Sequence, residues 1–296
     1  MHEIDKILTA ARDLLAANQR GVLVTVVRTA GSTYRRAGAR ALIAEDGRAF
    51  GAISGGCLER DLAARIKPWL DDPRPRIVTY DSTRADDVVF GLGLGCRGIL
   101  DLLVEPVDAA QLPPLVKDFR WNGREPVAWT TTLPDGECLE ETIQPERAVL
   151  VFGNGGDVEP VVRIGETIGW DVRNIRGRRD WPPLHEFDAA VIMTHNFMLD
   201  VDILRALVPA PVPYIGLLGP KRRGEELLAE LGGDTTELRP RIHSPIGLDI
   251  GGETPEEIAL SIVAEVQAVL NRRSAKLLRE LRGPIHEEVL TVTCES

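Results

Sequence analysis

The spacing of apolar residues in the first half of the chain predicts a mixture of helices and antiparallel strands. Residues 3–18 carry apolar side chains at helical spacing, and Gly21–Arg28 is an apolar run typical of a buried strand. Strand-like segments joined by short turns that contain glycine predict hairpins within 39–53 and 127–142. We therefore expect an N-terminal α+β domain over residues 1–143.

The second half of the chain changes to a regular alternation of strands and helices. Apolar strand runs recur at Arg147–Phe152, Asp171–Ile175, Ala189–Thr194 and Tyr214–Leu218. Helical segments separate them, which predicts a parallel sheet. The last helix begins with the capping-box pattern Thr254-Pro255-Glu256-Glu257. We expect a domain boundary at Gln144–Glu146, a Rossmann-like doubly wound domain over 147–273, and a tail over 274–296 that the pattern leaves unassigned.

Composition excludes several classes of protein. The net charge of −10 disfavours a nucleic-acid partner, and no run of apolar residues is long enough to predict a membrane span. The acidic start, Met1-His2-Glu3-Ile4-Asp5, does not resemble a signal peptide, so we expect a cytoplasmic protein. The four cysteines are scattered without a C-x-x-C pair, which argues against a zinc site and against the disulfide framework of a secreted protein.

Two glycine-rich loops that carry a cysteine are the most unusual feature of the first half. They read Ser54-Gly55-Gly56-Cys57-Leu58-Glu59 and Gly91-Leu92-Gly93-Leu94-Gly95-Cys96, and the first begins a helix predicted over 56–70. Glycines let the backbone approach an anion closely, and a thiolate binds sulfur or a metal-bearing cofactor. The candidate ligand-binding residues are Ser54, Gly55, Gly56, Cys57, Glu59, Gly93, Gly95 and Cys96. The alternatives are small buried cysteines and, for Glu59, either a general acid/base or a glutamate favoured by the helix dipole.

A third loop of the first half, Gly31–Arg40, follows the first predicted strand. It combines hydroxyl groups, arginines and glycines, a composition that suits an anionic ligand. We take Ser32 and Arg40 as its candidate binding residues.

In the second half, Gly153-Asn154-Gly155-Gly156-Asp157 lies between a strand and a helix, as a dinucleotide-binding turn requires. Gly153 and Gly155 are the candidate binding residues. The match is partial, because Val158 replaces the third glycine and Asp157 brings negative charge to the position of a pyrophosphate. Arg176–Arg179 at the end of the next strand favours a 2′-phosphate or another anion over an unmodified ribose. The alternative is a tight turn that needs glycine only for packing.

Further candidates follow the later strands of the second half. His195 is a candidate for phosphate binding or proton relay, with Asp200 either orienting it or capping the next helix. Lys221 begins a helix within the basic run Gly219–Arg223, which suits an anion or a solvated surface. Asp249 lies among apolar residues and is either a group at a site or a buried carboxylate that holds its loop together.

Together these residues resemble the XdhC/CoxI family, which comprises accessory proteins for molybdenum hydroxylases such as xanthine dehydrogenase. The resemblance spans about Gly21–Arg272. Its motifs in the first half are Gly31-Ser32-Thr33, Gly38-Ala39-Arg40, Gly51–Glu59 and Gly91–Cys96. Its motifs in the second half are Thr194-His195, Asp200, Tyr214-Ile215-Gly216, Ser244–Gly251 and Thr254–Ile258.

The resemblance implies a protein that binds molybdenum cofactor (molybdopterin), promotes its sulfuration together with a cysteine desulfurase, and delivers it to an apo molybdenum hydroxylase. It also implies an accessory protein rather than a stand-alone enzyme, with Cys57 and Cys96 as the contacts to molybdenum or its terminal sulfur. We expect a homodimer, since a carrier benefits from a closed site.

The nucleotide loop departs from the family pattern, which leaves two other functions open. Where the family usually has G-A-G-H and V-D-x-R, this chain has Gly153-Asn154-Gly155-Gly156 and Asn174-Ile175-Arg176, and Lys221 follows Gly219-Pro220 where a serine after the glycine is typical. One alternative is an NAD(P)-dependent oxidoreductase that binds NADP or another nucleotide in the second domain. The other is a nucleotide-processing enzyme with a metal at Asp200 and Asp249.

Overall fold

The protein folds as two compact units in a computed structural model. The structure describes residues 3–72, 74–82, 98–177, 181–232, 235–282 and 291–293. One unit is Glu146–Leu281, and the other is His2–Pro145 together with the C-terminal segment from Arg282. Within the described residues no helix has the length and apolar character needed to cross a membrane.

The first unit is built on an antiparallel sheet with helices on both faces. Its elements are α1 (Glu3–Ala16), β1 (Gly21–Gly31), β2 (Arg40–Ala44), β3 (Ala49–Gly51), α2 (Cys57–Arg65), α3 (Lys67–Leu70), β4 (Arg76–Asp81), β5 (Gly98–Val107), α4 (Pro114–Asp118), β6 (Val127–Thr132) and β7 (Glu137–Ile143). The five-stranded sheet has the order β3-β2-β1-β5-β4. The single helix predicted over 56–70 is broken at Ile66, because Pro68 in the first turn of α3 has no N–H to donate within a continuous helix.

The central strand β1 is buried on both faces, which explains its continuous apolar run. Val22, Val24 and Val26 pack on the same side as α2. Leu23 packs on the opposite side, against the apolar face of α1.

Two charged residues, Arg40 and Glu105, are buried on the α1 side of this sheet. Arg40, at the start of β2, is only 3% exposed and binds both carboxylate oxygens of Glu141 on β7. Glu105, on β5, is 8% exposed. Burial raises the pKa of Glu105 to about 7, although the charge of Arg40 acts in the opposite direction.

The buried Glu105 predicts a pH-dependent stability. The unfolded carboxyl ionises near pH ~4.3, so between that pH and about 7 the folded state binds more protons. The free energy of unfolding therefore falls as pH rises through this window, and Glu105→Gln removes the fall. The measurement is urea unfolding at acidic and at mildly alkaline pH. Between these two conditions we expect the free energy of unfolding of wild type to fall by on the order of 2–3 kcal/mol more than that of the variant. Parallel pH profiles for the two proteins would contradict this.

The second unit is a parallel sheet with two helices on each face. Its elements are β8 (Ala148–Phe152), α5 (Val158–Thr167), β9 (Asp171–Ile175), β10 (Ala189–Ile192), α6 (Phe197–Leu207), β11 (Tyr214–Leu217), α7 (Lys221–Leu231), β12 (Ile242–His243) and α8 (Pro255–Leu270). The strand order is β12-β11-β10-β8-β9, with every pair parallel. Residues of α5 and α8 pack on one face and residues of α6 and α7 on the other. The predicted α/β fold class, with an antiparallel N-terminal and a Rossmann-like C-terminal part, is confirmed.

The strand order places a topological switch point between β8 and β10. The chain leaves β8 for β9 on one side and later returns to β10 on the other, so the loops after β8 and β10 diverge and leave a crevice. Beyond this unit the chain returns to the first one, where β13 (Thr291–Thr293) pairs with β7 to give a sheet of order β13-β7-β6.

Candidate functional site

In the first unit, the loop between β3 and α2 is held in shape by the hydroxyl group of Ser54. Its Oγ accepts hydrogen bonds from the N–H groups of Gly56 at 3.0 Å and Leu58 at 3.2 Å. These N–H groups lie at the start of α2, where no helical carbonyl is available to them. Ser54 therefore fixes where the helix begins and how the two glycines before it are presented.

Glu59, one turn into α2, fixes the other side of the same loop. Its buried carboxylate accepts hydrogen bonds from the N–H groups of Ile53 and Ser54, both at 2.8 Å, and from the Ser54 hydroxyl. Burial opposes ionisation, but these hydrogen bonds outweigh it and lower the pKa of Glu59 below its ordinary value. The geometry gives Glu59 the role of positioning Ser54.

Replacing Glu59 with alanine tests this role. The change leaves two buried backbone N–H groups without an acceptor, so we expect the free energy of unfolding to drop by about 2 kcal/mol. Glu59→Gln keeps one acceptor oxygen and is expected to lose less. Urea unfolding of the full chain measures both variants, and an alanine variant as stable as wild type would show that the loop does not depend on this carboxylate.

Cys57 is the first residue of α2 and carries a half-buried thiol that is not in a disulfide. Its Sγ lies 3.7 Å from Ser54 Oγ. The two preceding residues are bare backbone: a Cβ added at Gly55 or Gly56 would meet no atom within 4 Å, and Gly56 has a φ of 102° that disfavours any other residue. A thiol next to an open stretch of peptide groups is thus available to a ligand.

The other candidates of the first unit differ in what they offer. Ser32 is exposed in the loop after β1. Arg40 is in the core, where its guanidinium binds Glu141 and the carbonyl of Gly38, so the structure does not present it to a ligand. Gly93, Gly95 and Cys96 lie outside the described residues. Cys138 on β7 is disulfide-bonded, which the scattered cysteine spacing did not predict.

In the second unit, the loops after β8 and β10 contact each other at the switch point. A Cβ at Gly153 would come within 2.6 Å of the Met193 carbonyl oxygen, so glycine is required for this close approach. His195 has a left-handed φ of 56°, and its Nε2 lies 2.8 Å from Oδ2 of Asp157. This pair joins the two loops across the switch point.

Asp200 connects the same region to α7, the helix that follows β11. Its carboxylate is 3% exposed, accepts the hydroxyl of Thr194, and binds the guanidinium of Arg223 at 2.6 Å. Asp200 was expected either to orient His195 or to cap α6, and both expectations are wrong. His195 is paired with Asp157, and the cap of α6 is Asn196, whose Oδ1 accepts the N–H of Leu199 at 3.1 Å.

A crevice of about 130 Å³ lies between the ends of β8, β9 and β10 and the helix α6. Arg176 lines it at the end of β9. The neighbouring Asn174 donates its amide to the carbonyls of Val151 and Gly153, both at 3.0 Å, and accepts the Nε of Arg176 at 2.9 Å. Asn174 therefore fixes the glycine loop and orients a cation at the edge of the crevice.

The last two candidates of the second unit are exposed. Lys221 is the first residue of α7. Asp249 is also exposed, which overturns the alternative of a buried carboxylate that holds its loop together. The described residues contain no group of three side chains placed to bind a metal ion.

Glu265 on α8, and not Asp249, is the largely buried carboxylate that holds this loop together. Its carboxylate accepts the hydroxyl of Tyr214 and the N–H of Gly247, both at 2.6 Å, and lies 3.0 Å from Nδ1 of His243. Burial and this hydrogen bond raise the pKa of Tyr214, and the ring of Tyr214 stacks on that of His243 at 4.2 Å. Only one signal pointed to Glu265, namely an acidic residue within the apolar run of a helix.

Comparisons with known proteins agree with this architecture. The family model described as the XdhC and CoxI family matches residues 14–81, and the model of the XdhC Rossmann domain matches residues 149–266. A Bacillus subtilis (strain 168) protein, named as a probable component of xanthine dehydrogenase, is 29% identical over 319 aligned residues, which cover 86% of this chain and 94% of the relative. The Escherichia coli (strain K12) protein named molybdenum cofactor insertion chaperone PaoD is 25% identical, with 89% of this chain and 87% of the relative covered.

A solved structure shares the fold. It is described as a xanthine dehydrogenase from Bacillus halodurans, and it aligns with a TM-score of 0.73 at 27% identity over 93% of this chain and 97% of its own. Two models of one family therefore match the two units separately, and relatives align along most of the chain. The chain belongs to the XdhC and CoxI family.

Proposed function

We propose that this protein is a maturation chaperone that binds molybdenum cofactor and inserts it into a molybdenum hydroxylase of the xanthine dehydrogenase type. Two relatives support the proposal by name, one as a molybdenum cofactor insertion chaperone and one as a probable component of xanthine dehydrogenase. The cofactor is the cargo of such a protein, so the chain must hold it and release it.

The observation that carries the proposal is the free thiol of Cys57 next to the open backbone of Gly55 and Gly56. Molybdenum in this cofactor is bound through the two sulfur atoms of a dithiolene, and a cysteine thiolate offers it a further sulfur ligand. Neither glycine carries a side chain that would keep a ligand from approaching this stretch of backbone. Among the described residues no group of three metal-binding side chains surrounds Cys57, and a single thiol suits transient holding better than permanent binding.

The proposal extends to sulfuration, in which the outer sulfur of a desulfurase persulfide takes up two electrons from an added reductant, becomes a sulfide ligand of molybdenum and displaces an oxygen ligand as water. Cys57 and, by resemblance, Cys96 are the proposed contacts to the metal or its terminal sulfur. We also propose a cytoplasmic location. We propose in addition that the chain forms a homodimer, and a size measurement in solution would test the dimer.

The test is reconstitution of an apo molybdenum hydroxylase. Cofactor, cysteine desulfurase, cysteine and a reductant are incubated anaerobically with the hydroxylase, with or without the full chain. We expect the chain to raise both the hydroxylase activity and the amount of sulfur that cyanide releases from the enzyme. The increase in releasable sulfur should require the desulfurase. Equal activity and sulfur content with and without the chain would refute the proposal.

A second candidate function is an NADP-dependent oxidoreductase. It is favoured by Arg176, which lies at the crevice where Rossmann-like domains contact the ribose. Titration with NADPH and NADH, followed by fluorescence or calorimetry, decides it. Absence of a response to either nucleotide at millimolar concentration would remove this candidate.

A further inference from the structure

The carboxylate of Asp157 lies over the glycine loop of the second unit. Asp157 directly precedes α5, yet its side chain does not cap the helix. Instead it folds back against the loop, so that a methyl group added at Gly155 would overlap its Oδ1. The space beside Gly155, which a phosphate would fill in a nucleotide site, therefore contains Oδ1 of Asp157.

His195 holds the Asp157 carboxylate in this position. Its Nε2 lies 2.8 Å from Oδ2 of Asp157, and the Asp157 side chain is only 21% exposed. A Cβ added at Gly155 would lie 3.6 Å from the same Nε2. The pair thus covers the loop from the side of β10, and His195 reaches it with a left-handed backbone that costs conformational energy.

The charges around the crevice are reversed relative to a dinucleotide site. In such a site the pyrophosphate lies at the glycine loop and helix N-terminus, and an acidic residue at the end of the second strand binds the ribose. Here the acidic residue, Asp157, is at the glycine loop, and the end of the second strand carries Arg176, oriented by Asn174. A pyrophosphate would have to displace Asp157 or lie against its like charge.

We propose that Asp157 occupies the anion position at the glycine loop, which borders this crevice through Gly153 and Asn154, so that ligands with a pyrophosphate at that loop are excluded. A ligand with a single phosphate has only to reach Arg176 at the end of β9 and needs no contact with the anion position of the glycine loop. This inference does not depend on the chaperone function, and it argues against the NADP-dependent oxidoreductase, because NADP carries a pyrophosphate that would lie at the glycine loop.

The test compares the affinities of ADP-ribose, which carries a pyrophosphate, and of AMP, which carries one phosphate, by calorimetry on the full chain. Asp157→Asn keeps the shape of the side chain and removes its charge, and Asp157→Ala removes the oxygens as well. Glu159→Gln is the matched control, since Glu159 is an exposed acidic residue in the first turn of α5 and lies near Arg163. Thermal unfolding checks that each variant is folded.

We expect both Asp157 variants to bind ADP-ribose at least about tenfold more tightly than wild type, equal to about 1.4 kcal/mol. AMP affinity and the Glu159→Gln variant should stay within about twofold of wild type, because neither involves the loop position. No gain in the Asp157 variants, including no detectable binding, would overturn the proposal. An equal gain in Glu159→Gln would also overturn it, since the effect would then be one of overall charge.

Discussion

Replacing Cys57 with serine is expected to lower the amount of molybdenum that the protein retains by at least about tenfold. The change exchanges a soft sulfur for a hard oxygen and leaves the size of the side chain almost unchanged, so it tests the thiol and not the packing. Cys57 is half-buried at the first turn of α2. Its thiol is a donor to the Ser54 hydroxyl at 3.7 Å, while Ser54 and Glu59 hold the backbone of the loop. The measurement is molybdenum per chain after anaerobic incubation with the cofactor and desalting.

The matched control for Cys57→Ser is Ala64→Ser. Ala64 is exposed on the same helix, so the control adds a hydroxyl group to α2 away from the loop. It should retain as much molybdenum as wild type. If Cys57→Ser also retained the wild-type amount, the thiol would not be a contact to the cofactor, and the second cysteine loop would be the remaining candidate.

Asp200→Ala is expected to lower the free energy of unfolding by about 3–4 kcal/mol, as for removal of one partner from a buried ion pair. The carboxylate is almost fully buried and binds both Thr194 and Arg223, so its loss leaves a hydroxyl and a guanidinium without their acceptor. The measurement is urea unfolding of the full chain.

The control for Asp200→Ala is Asp202→Ala, two residues further along α6. Asp202 is more exposed and lies 3.8 Å from Arg205, so its removal should cost less than about 1 kcal/mol. Equal losses in the two variants would mean that the contacts of Asp200 contribute no more than a surface ion pair.

Most of the fold could be predicted because its signals are local. The capping box at the start of α8 is an example: Thr254 accepts the N–H of Glu257 at 3.3 Å, and Glu257 accepts the N–H of Thr254 at 3.0 Å. Both partners lie within one turn, so the sequence contains the whole interaction. The apolar runs of β1 and β8 predicted their strands for the same reason, since each is buried on both faces.

The contacts at the candidate sites could not be predicted because their partners are distant in sequence. The sequence places Arg40 at the end of a loop suited to an anion. In the structure Arg40 begins β2, and its guanidinium binds Glu141, which lies 101 residues later in the chain. Asp200 pairs with Arg223 on the next helix, and His195 pairs with Asp157 on the loop of another strand. Residue type predicted that these groups would have partners, but only the tertiary structure determines which ones.

The most direct test of the proposed function is whether the protein binds molybdenum cofactor at all. The purified full chain is incubated anaerobically with the cofactor and desalted, and retained molybdenum and pterin are quantified against protein. We expect both to elute with the protein in equal and nearly stoichiometric amounts. A folded protein that retains neither molybdenum nor pterin would contradict the chaperone function, and the glycine and cysteine loop at Ser54–Glu59 would then serve another ligand.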